Sequence, residues 1–200
     1  MPSLPQVAAP VLVGVRLPFK RDVIAGILRG GLGFDGVVVA EAEHATDLGD
    51  DAWIERSHFG GAAGGLYLHD LRRLDEDALA IEATRGVRYE LHLEGGDYRL
   101  WVRRYVPSAW GAVRGRTASD SAWALVDGEP LGAGPLDERG EPIDRWAWID
   151  VGGPLSLSRG AHQLTLRPRE GGYAIDRWLL ARDPGFEPEG EGPRETSADP

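Results

Sequence analysis

Val87 to Val106 read VRYELHLEGGDYRLWVRRYV, and this stretch decides the fold class. Val87, Tyr89, Leu91 and Leu93 alternate with Arg88, Glu90, His92 and Glu94, the period of two expected of a half-buried strand, whose successive side chains leave opposite faces. Gly95-Gly96 supplies a turn, and Tyr98, Leu100 and Val102 then share one face of the returning segment, Asp97 to Val106. The stretch is a hairpin by sequence.

Outward from the hairpin, further strands are predicted at Val37 to Ala45, Ala52 to Ser57, Leu66 to Leu71, Ala78 to Ala83, Ser121 to Val126, Trp146 to Val151, His162 to Pro168 and Tyr173 to Ala181. Turn signals such as Asp127-Gly128 and Gly171-Gly172 separate several of them. About ten short strands with hardly any helix imply a β-sandwich or barrel. At the N-terminal side, residues 10–19 read as extended, and Val23, Ile24, Ile27 and Leu28 recur at helical spacing behind Asp22 as a cap, the pattern of one short helix ending at Arg29. The chain therefore divides into an N-terminal extension (1–36), a β-domain (37–186) and a C-terminal tail (187–200). The tail holds no large apolar residue to bury and is expected to be disordered.

Composition narrows the function. A chain of 200 residues buries roughly 70% of its unfolded surface, enough for one domain with its own core. The formal net charge of −10 argues against nucleic acid, whose phosphates call for a basic face. There is no cysteine, which removes disulfides, thiolate catalysis and zinc fingers together. No run approaches the roughly 18 apolar residues of a membrane span, so no membrane partner is expected. The N-terminus lacks a secretory signal pattern, which suggests a mature or cytoplasmic chain or one carried by a larger assembly, and leaves the compartment open.

Catalytic signatures are missing. A GxGxxG match at Gly31, Gly33 and Gly36 precedes a strand, the reverse of the strand-then-helix order that seats a pyrophosphate, and reads as a flexible join. The acids at Asp47, Asp50 and Asp51 and at Asp75, Glu76 and Asp77 lie in polar loops and read as solvated faces, not as the facing carboxylates of a glycosidase. The five histidines are scattered, and His92 falls on a polar face. No enzyme is expected.

Val38 to Thr46 read VVAEAEHAT, Gly96 to Pro107 GDYRLWVRRYVP and Ser119 to Leu131 SDSAWALVDGEPL. Arg145 to Gly153 follow as RWAWIDVGG, and Gly160 to Gly190 as GAHQLTLRPREGGYAIDRWLLARDPGFEPEG. In this order they resemble the carbohydrate-binding modules of families 6 and 35, galactose-binding-like jelly-roll β-sandwiches, over about residues 37 to 190. The resemblance implies an all-β jelly roll. It also implies a structural calcium ion near Glu41, Glu43 and Asp176, acids set in apolar strands, with Glu41 and Glu43 on one strand face. The alternative is that these acids pair with arginines such as Arg56 or Arg177.

Sugar binding in such modules uses aromatic rings stacked on a pyranose, backed by a few polar groups. Trp110, between Ala109 and Gly111, has no periodic core role and is the leading sugar-binding candidate, with Tyr105 in the same loop. Trp146 and Trp148 share a strand face, one for the core and one, Trp146, for the site border. Trp101, Trp123 and Trp178 sit in apolar strands and are assigned to the core. Arg103, Arg104, Asp120 and Glu170 match recurrent family positions and are the polar candidates. The leading reading is a non-catalytic module that recognises a glycan or polysaccharide. The alternative is a structural or assembly subunit of a filament, virion or surface array, self-associating through residues 1–36.

Overall fold

The computed structural model of the chain describes residues 28–29, 36–49, 53–72, 79–108, 121–132, 134–136 and 142–196. Its strands are β1 (Leu28–Arg29), β2 (Val37–Glu41), β3 (Trp53–Arg56), β4 (Tyr67–Asp70), β5 (Val87–Leu93), β6 (Gly96–Tyr105), β7 (Ala122–Val126), β8 (Glu129–Pro130), β9 (Trp146–Leu157), β10 (Gly160–Pro168) and β11 (Ala174–Ala181). They form two sheets. The first runs β1-β5-β10-β7-β8 and the second β3-β4-β11-β6-β9, with β2 also paired to β11. All ladders are antiparallel except β1 on β5. This is an all-β jelly-roll sandwich.

The alternation in β5 buries Val87, Tyr89, Leu91 and Leu93 while Glu90 and His92 stay exposed, because β5 has one face on the core and one in water. Tyr98, Leu100 and Val102 of β6 meet the same core, with Leu164 and Leu166 of β10 and Trp178 and Leu180 of β11. The Asp127-Gly128 signal forms the β7–β8 turn, with φ of 53° and 85°, the left-handed pair that a two-residue hairpin turn needs.

β11 breaks the alternation: all eight residues of AIDRWLLA are buried. One face meets the main core; the other carries a second apolar cluster of Val37, Val39, Leu179 and Ala181 with Trp101, Trp148 and Phe186. What covers that outer face is a C-terminal strap, residues 186–196. Arg177 donates to the carbonyls of Glu191 and Pro193, and the amides of Val39 and Glu41 on β2 donate to the side chains of Thr196 and Glu195. The expectation of a disordered tail from residue 187 is thus corrected as far as residue 196. The strap has little to bury through its side chains and docks mainly through backbone and polar groups. Residues 197–200 lie outside the described residues.

Three element boundaries also differ. The first domain strand stops at Glu41, where Ala42–His44 turn into a 3-10 helix, so Glu41 and Glu43 do not share a strand face. Residues 79–83, expected as the end of a strand, form a turn closed by Ala83 N–H to the Ala80 carbonyl. Leu28 and Arg29, expected to end a helix, pair with Leu91 and His92 as a short parallel strand. The rest of that helix, residues 22–27, lies outside the described residues. No helix among the described residues is long and apolar enough to cross a membrane.

Trp178 is fully buried with Tyr89 edge-on to it at 5.1 Å. Its replacement by alanine is expected to cost about 3–5 kcal/mol, the range for emptying a buried aromatic site. Urea unfolding followed by far-UV circular dichroism measures the loss.

Candidate functional site

Two side-chain groups stand out on the outer face of the second sheet, and a bulge in β11 organises one of them. The β11–β6 ladder slips between Ile175 and Arg177, and the extra residue is Asp176. Neighbouring residues of a regular strand would point to opposite faces. Here both Asp176 and Arg177 reach charged partners: Asp176 accepts a hydrogen bond from Arg103 of β6, and Arg177 donates to Glu41 of β2. Arg103 also donates to the Gly61 carbonyl, 3.1 Å from each terminal nitrogen, and its guanidinium lies 5.5 Å from the centre of the Trp146 ring. The Arg177 pairing was one of the two arginine partnerships anticipated from sequence. The Arg56 side chain lies outside the described residues.

Glu43 joins this group from the 3-10 turn. Burial pushes its carboxyl up to about 7, and the nearby charges of Glu41 and Asp176 add to the rise. Burial likewise raises Asp176 to about 6 against the opposing pull of Arg103. Three carboxylates face two arginines, and each keeps one buried oxygen with no hydrogen-bond partner: Oε2 of Glu41, Oε2 of Glu43 and Oδ1 of Asp176. As the side chains stand, no group of three or more His, Cys, Asp or Glu among the described residues is gathered closely enough to enclose a metal ion. The three unpartnered atoms are all carboxylate oxygens, the ligand type that calcium takes.

The second group is an aromatic band at one end of the same face. Tyr105 ends β6, Trp146 begins β9 opposite it, and Tyr67 and His69 lie on β4. Over them folds the glycine-rich loop after β3, which brings Phe59 parallel to Tyr105 at 4.3 Å and to Tyr67 at 5.4 Å. Trp146 stands edge-on to Tyr105 and Tyr67, at 5.3 and 5.1 Å, and its indole N–H donates to the Gly60 carbonyl. Tyr67 and His69 are buried, Phe59, Tyr105 and Trp146 half-buried, and His58 exposed. The rings therefore brace one another, with three of them still partly open to solvent.

Of the residues singled out from the sequence, the structure brings Tyr105 and Trp146 together, their ring centres 5.3 Å apart. Arg104 has a different place: it is fully buried and donates to the Pro142 carbonyl, which suits it to hold that loop and not to meet a ligand. Glu170 is half-buried, joined to Ser121 and Arg169, and its loop reaches the band where His69 meets the Gly172 carbonyl at 3.1 Å. Trp110 and Asp120 lie outside the described residues. Of the tryptophans assigned to the core, Trp178 is there, while Trp101 packs in the outer cluster and Trp123 lies half-buried under Arg169. Trp146 and Trp148 both face outward. Sequence reasoning missed Phe59 and His58; the signal available was an aromatic pair in SHFGGAAGG, a loop with no apolar period to explain it.

No family model matches the chain, and no curated protein matches it in sequence. Solved structures do match. A β-(1,4)-mannanase of Podospora anserina, described as carrying a family 35 carbohydrate-binding module, superposes with a TM-score of 0.55 at 17% identity, over 77% of this chain and 29% of that one. A family 35 module from Clostridium thermocellum is matched over 72% of this chain and 96% of its own, at 17% identity and a TM-score of 0.46. The C-terminal family 6 module of a Zobellia galactanivorans laminarinase is matched over 72% and 98%, at 15% and 0.46. The mannanase superposition shows a likeness of fold, a β-sandwich, with part of that chain. The chain spans less than a third of the mannanase it matches.

Replacing Arg103 with methionine would leave Asp176 buried without its partner. The expected loss is about 3–5 kcal/mol, the cost of breaking a buried ion pair from one side. Equilibrium urea unfolding reads it, and a loss under about 1 kcal/mol would contradict a load shared through this pair.

Proposed function

We propose that the chain is a non-catalytic glycan-binding module that stacks a sugar ring on the band of Phe59, Tyr105 and Trp146. The single observation carrying this reading is that three half-buried aromatic rings are fixed against one another before any ligand arrives, on a fold shared with carbohydrate-binding modules. Aromatic faces match the apolar faces of pyranoses, and a braced ring loses little freedom on binding. Glycine carbonyls at residues 60 and 61 are already held by Trp146 and Arg103, so the loop that carries Phe59 is tied to the sheet at two points. Trp110, Asp120 and Glu170 belong to the same reading as further sugar contacts.

Calcium is the second part of the reading. The unpartnered oxygens of Glu41, Glu43 and Asp176 are its protein ligands, and the ion's role is to neutralise the carboxylate charge left over from Arg103 and Arg177, which supports stability and no chemistry.

Both parts are open to test, the first by titration and the second by thermal unfolding. Isothermal titration with mono- and oligosaccharides is expected to give a binding sugar whose affinity falls about tenfold, ~1.4 kcal/mol, in Trp146→Ala and in Phe59→Ala. Affinity unchanged from the intact chain in both variants would move the site away from the band. Thermal unfolding is expected to rise with calcium, by about 2.7 kcal/mol at a hundredfold excess over its dissociation constant, and to lose that response in Glu43→Gln. An unfolding midpoint indifferent to calcium and to EDTA would leave charge balance to the two arginines and a proton.

A further inference from the structure

Two residues beyond Trp146 on the same strand face, about 7 Å along β9, stands Trp148, which faces Arg103 across the ladder, and Trp101 on β6 follows one pair further along, opposite Asp150. These are the same kind of ring in the same sheet, so the aromatic band would continue across the outer face if nothing lay on it. The strap lies on it. The Trp148 indole N–H donates to the Gly190 carbonyl at 3.2 Å, and Gly192 sits so close that a Cβ there would be 2.6 Å from Cζ2 of the ring. Phe186, at the start of the strap, packs against the same apolar cluster of Val37, Val39, Leu179 and Ala181 as Trp101 and Trp148 do. Between these points the chain reads Glu187, Pro188, Glu189, Gly190, Glu191, Gly192 and Pro193, which lets bare backbone lie flat on the rings.

We propose that this strap determines the length of glycan the module accepts, by closing the face over Trp148 and Trp101 and ending the accessible band at Trp146. The inference rests on the glycan-binding reading and adds to it a limit on ligand size. A sugar chain bound at Phe59, Tyr105 and Trp146 meets the strap where its next unit would stack. The intact module therefore gains nothing from chains longer than the band.

The strap can be lifted without touching the band. Gly192→Leu places a side chain where Trp148 stands, and Thr196→Pro removes both the N–H that donates to the Val39 carbonyl and the hydroxyl that accepts from the Val39 amide. Trypsin cleavage after the exposed Arg194, followed by mass spectrometry, reports the lift independently of any ligand. Titration of intact chain and variants with an oligosaccharide ladder, from mono- to hexasaccharide of whichever sugar binds, then reads the limit. Expected are an affinity plateau at short length in the intact chain and, in both variants, about tenfold tighter binding of the longer members with the shortest unchanged. Variants that are cleaved faster yet keep the same plateau would overturn the size limit and leave glycan binding standing. Resistance to trypsin in both variants would show that the strap is not held by these contacts, and would overturn it as well. No binding of any sugar by any of the proteins would remove the glycan-binding reading itself.

Discussion

Two oppositely directed ion pairs on neighbouring residues of one strand hold the outer half of this protein together. Asp176 and Arg177 sit at a bulge in β11, where the slipped ladder lets both reach charged partners. Through Arg103 the first pair reaches β6, the loop at Gly61 and the Trp146 ring. Through Arg177 the second reaches β2 and two carbonyls of the strap. A regular strand would have sent one of these side chains into the main core, where an unpaired charge is costly. The bulge makes the arrangement possible, and the loop, the strap and the aromatic band all depend on it.

This dependence explains why the sheet is covered on both sides. A jelly roll ordinarily leaves the outer face of each sheet to water, with polar residues alternating outward, as β5 does with Glu90 and His92. β11 has Leu179 and Ala181 on its outward side, and β2 has Val37 and Val39. That apolar surface requires a cover. A strap rich in glycine and proline supplies it, and at the other end of the face a loop rich in glycine lies over the rings of Tyr67, Tyr105 and Trp146. The loop brings the Phe59 ring onto Tyr105 and Tyr67, while the strap beyond Phe186 approaches Trp148 with glycine backbone.

The fold was legible in the sequence because period-two alternation survives wherever one face is wet. Val87 to Leu93 and Tyr98 to Val102 show it plainly, and the Asp127-Gly128 turn follows from its left-handed backbone requirement. Alternation fails as a guide where both faces are covered, so the pattern of β11 cannot say what lies on its outer side. The strap was unreadable for the same reason: its contribution is made by carbonyls and amides, which composition does not record. Tyr105 and Trp146 could be singled out because aromatic residues at strand ends invite a functional reading, and the fold sets the two side by side. Phe59 could not be ranked from sequence, since its position depends on where a loop between β3 and β4 folds back. Arg104 was singled out by its match to a recurrent family position, and that it is fully buried is invisible without the fold.

The pairing of Thr196 with Val39 bears on where this domain ends. β2 is a short, apolar edge with VVVA at its heart, and its outward amides and carbonyl are occupied by Glu195 and Thr196. A fragment cut at Phe186, the boundary that hydrophobicity alone suggests, would keep every core residue and still present that strand bare. Such an edge is a template for another chain. The last residues of the strap thus act as a solubility device, and a recombinant version without them would be liable to assemble edge to edge.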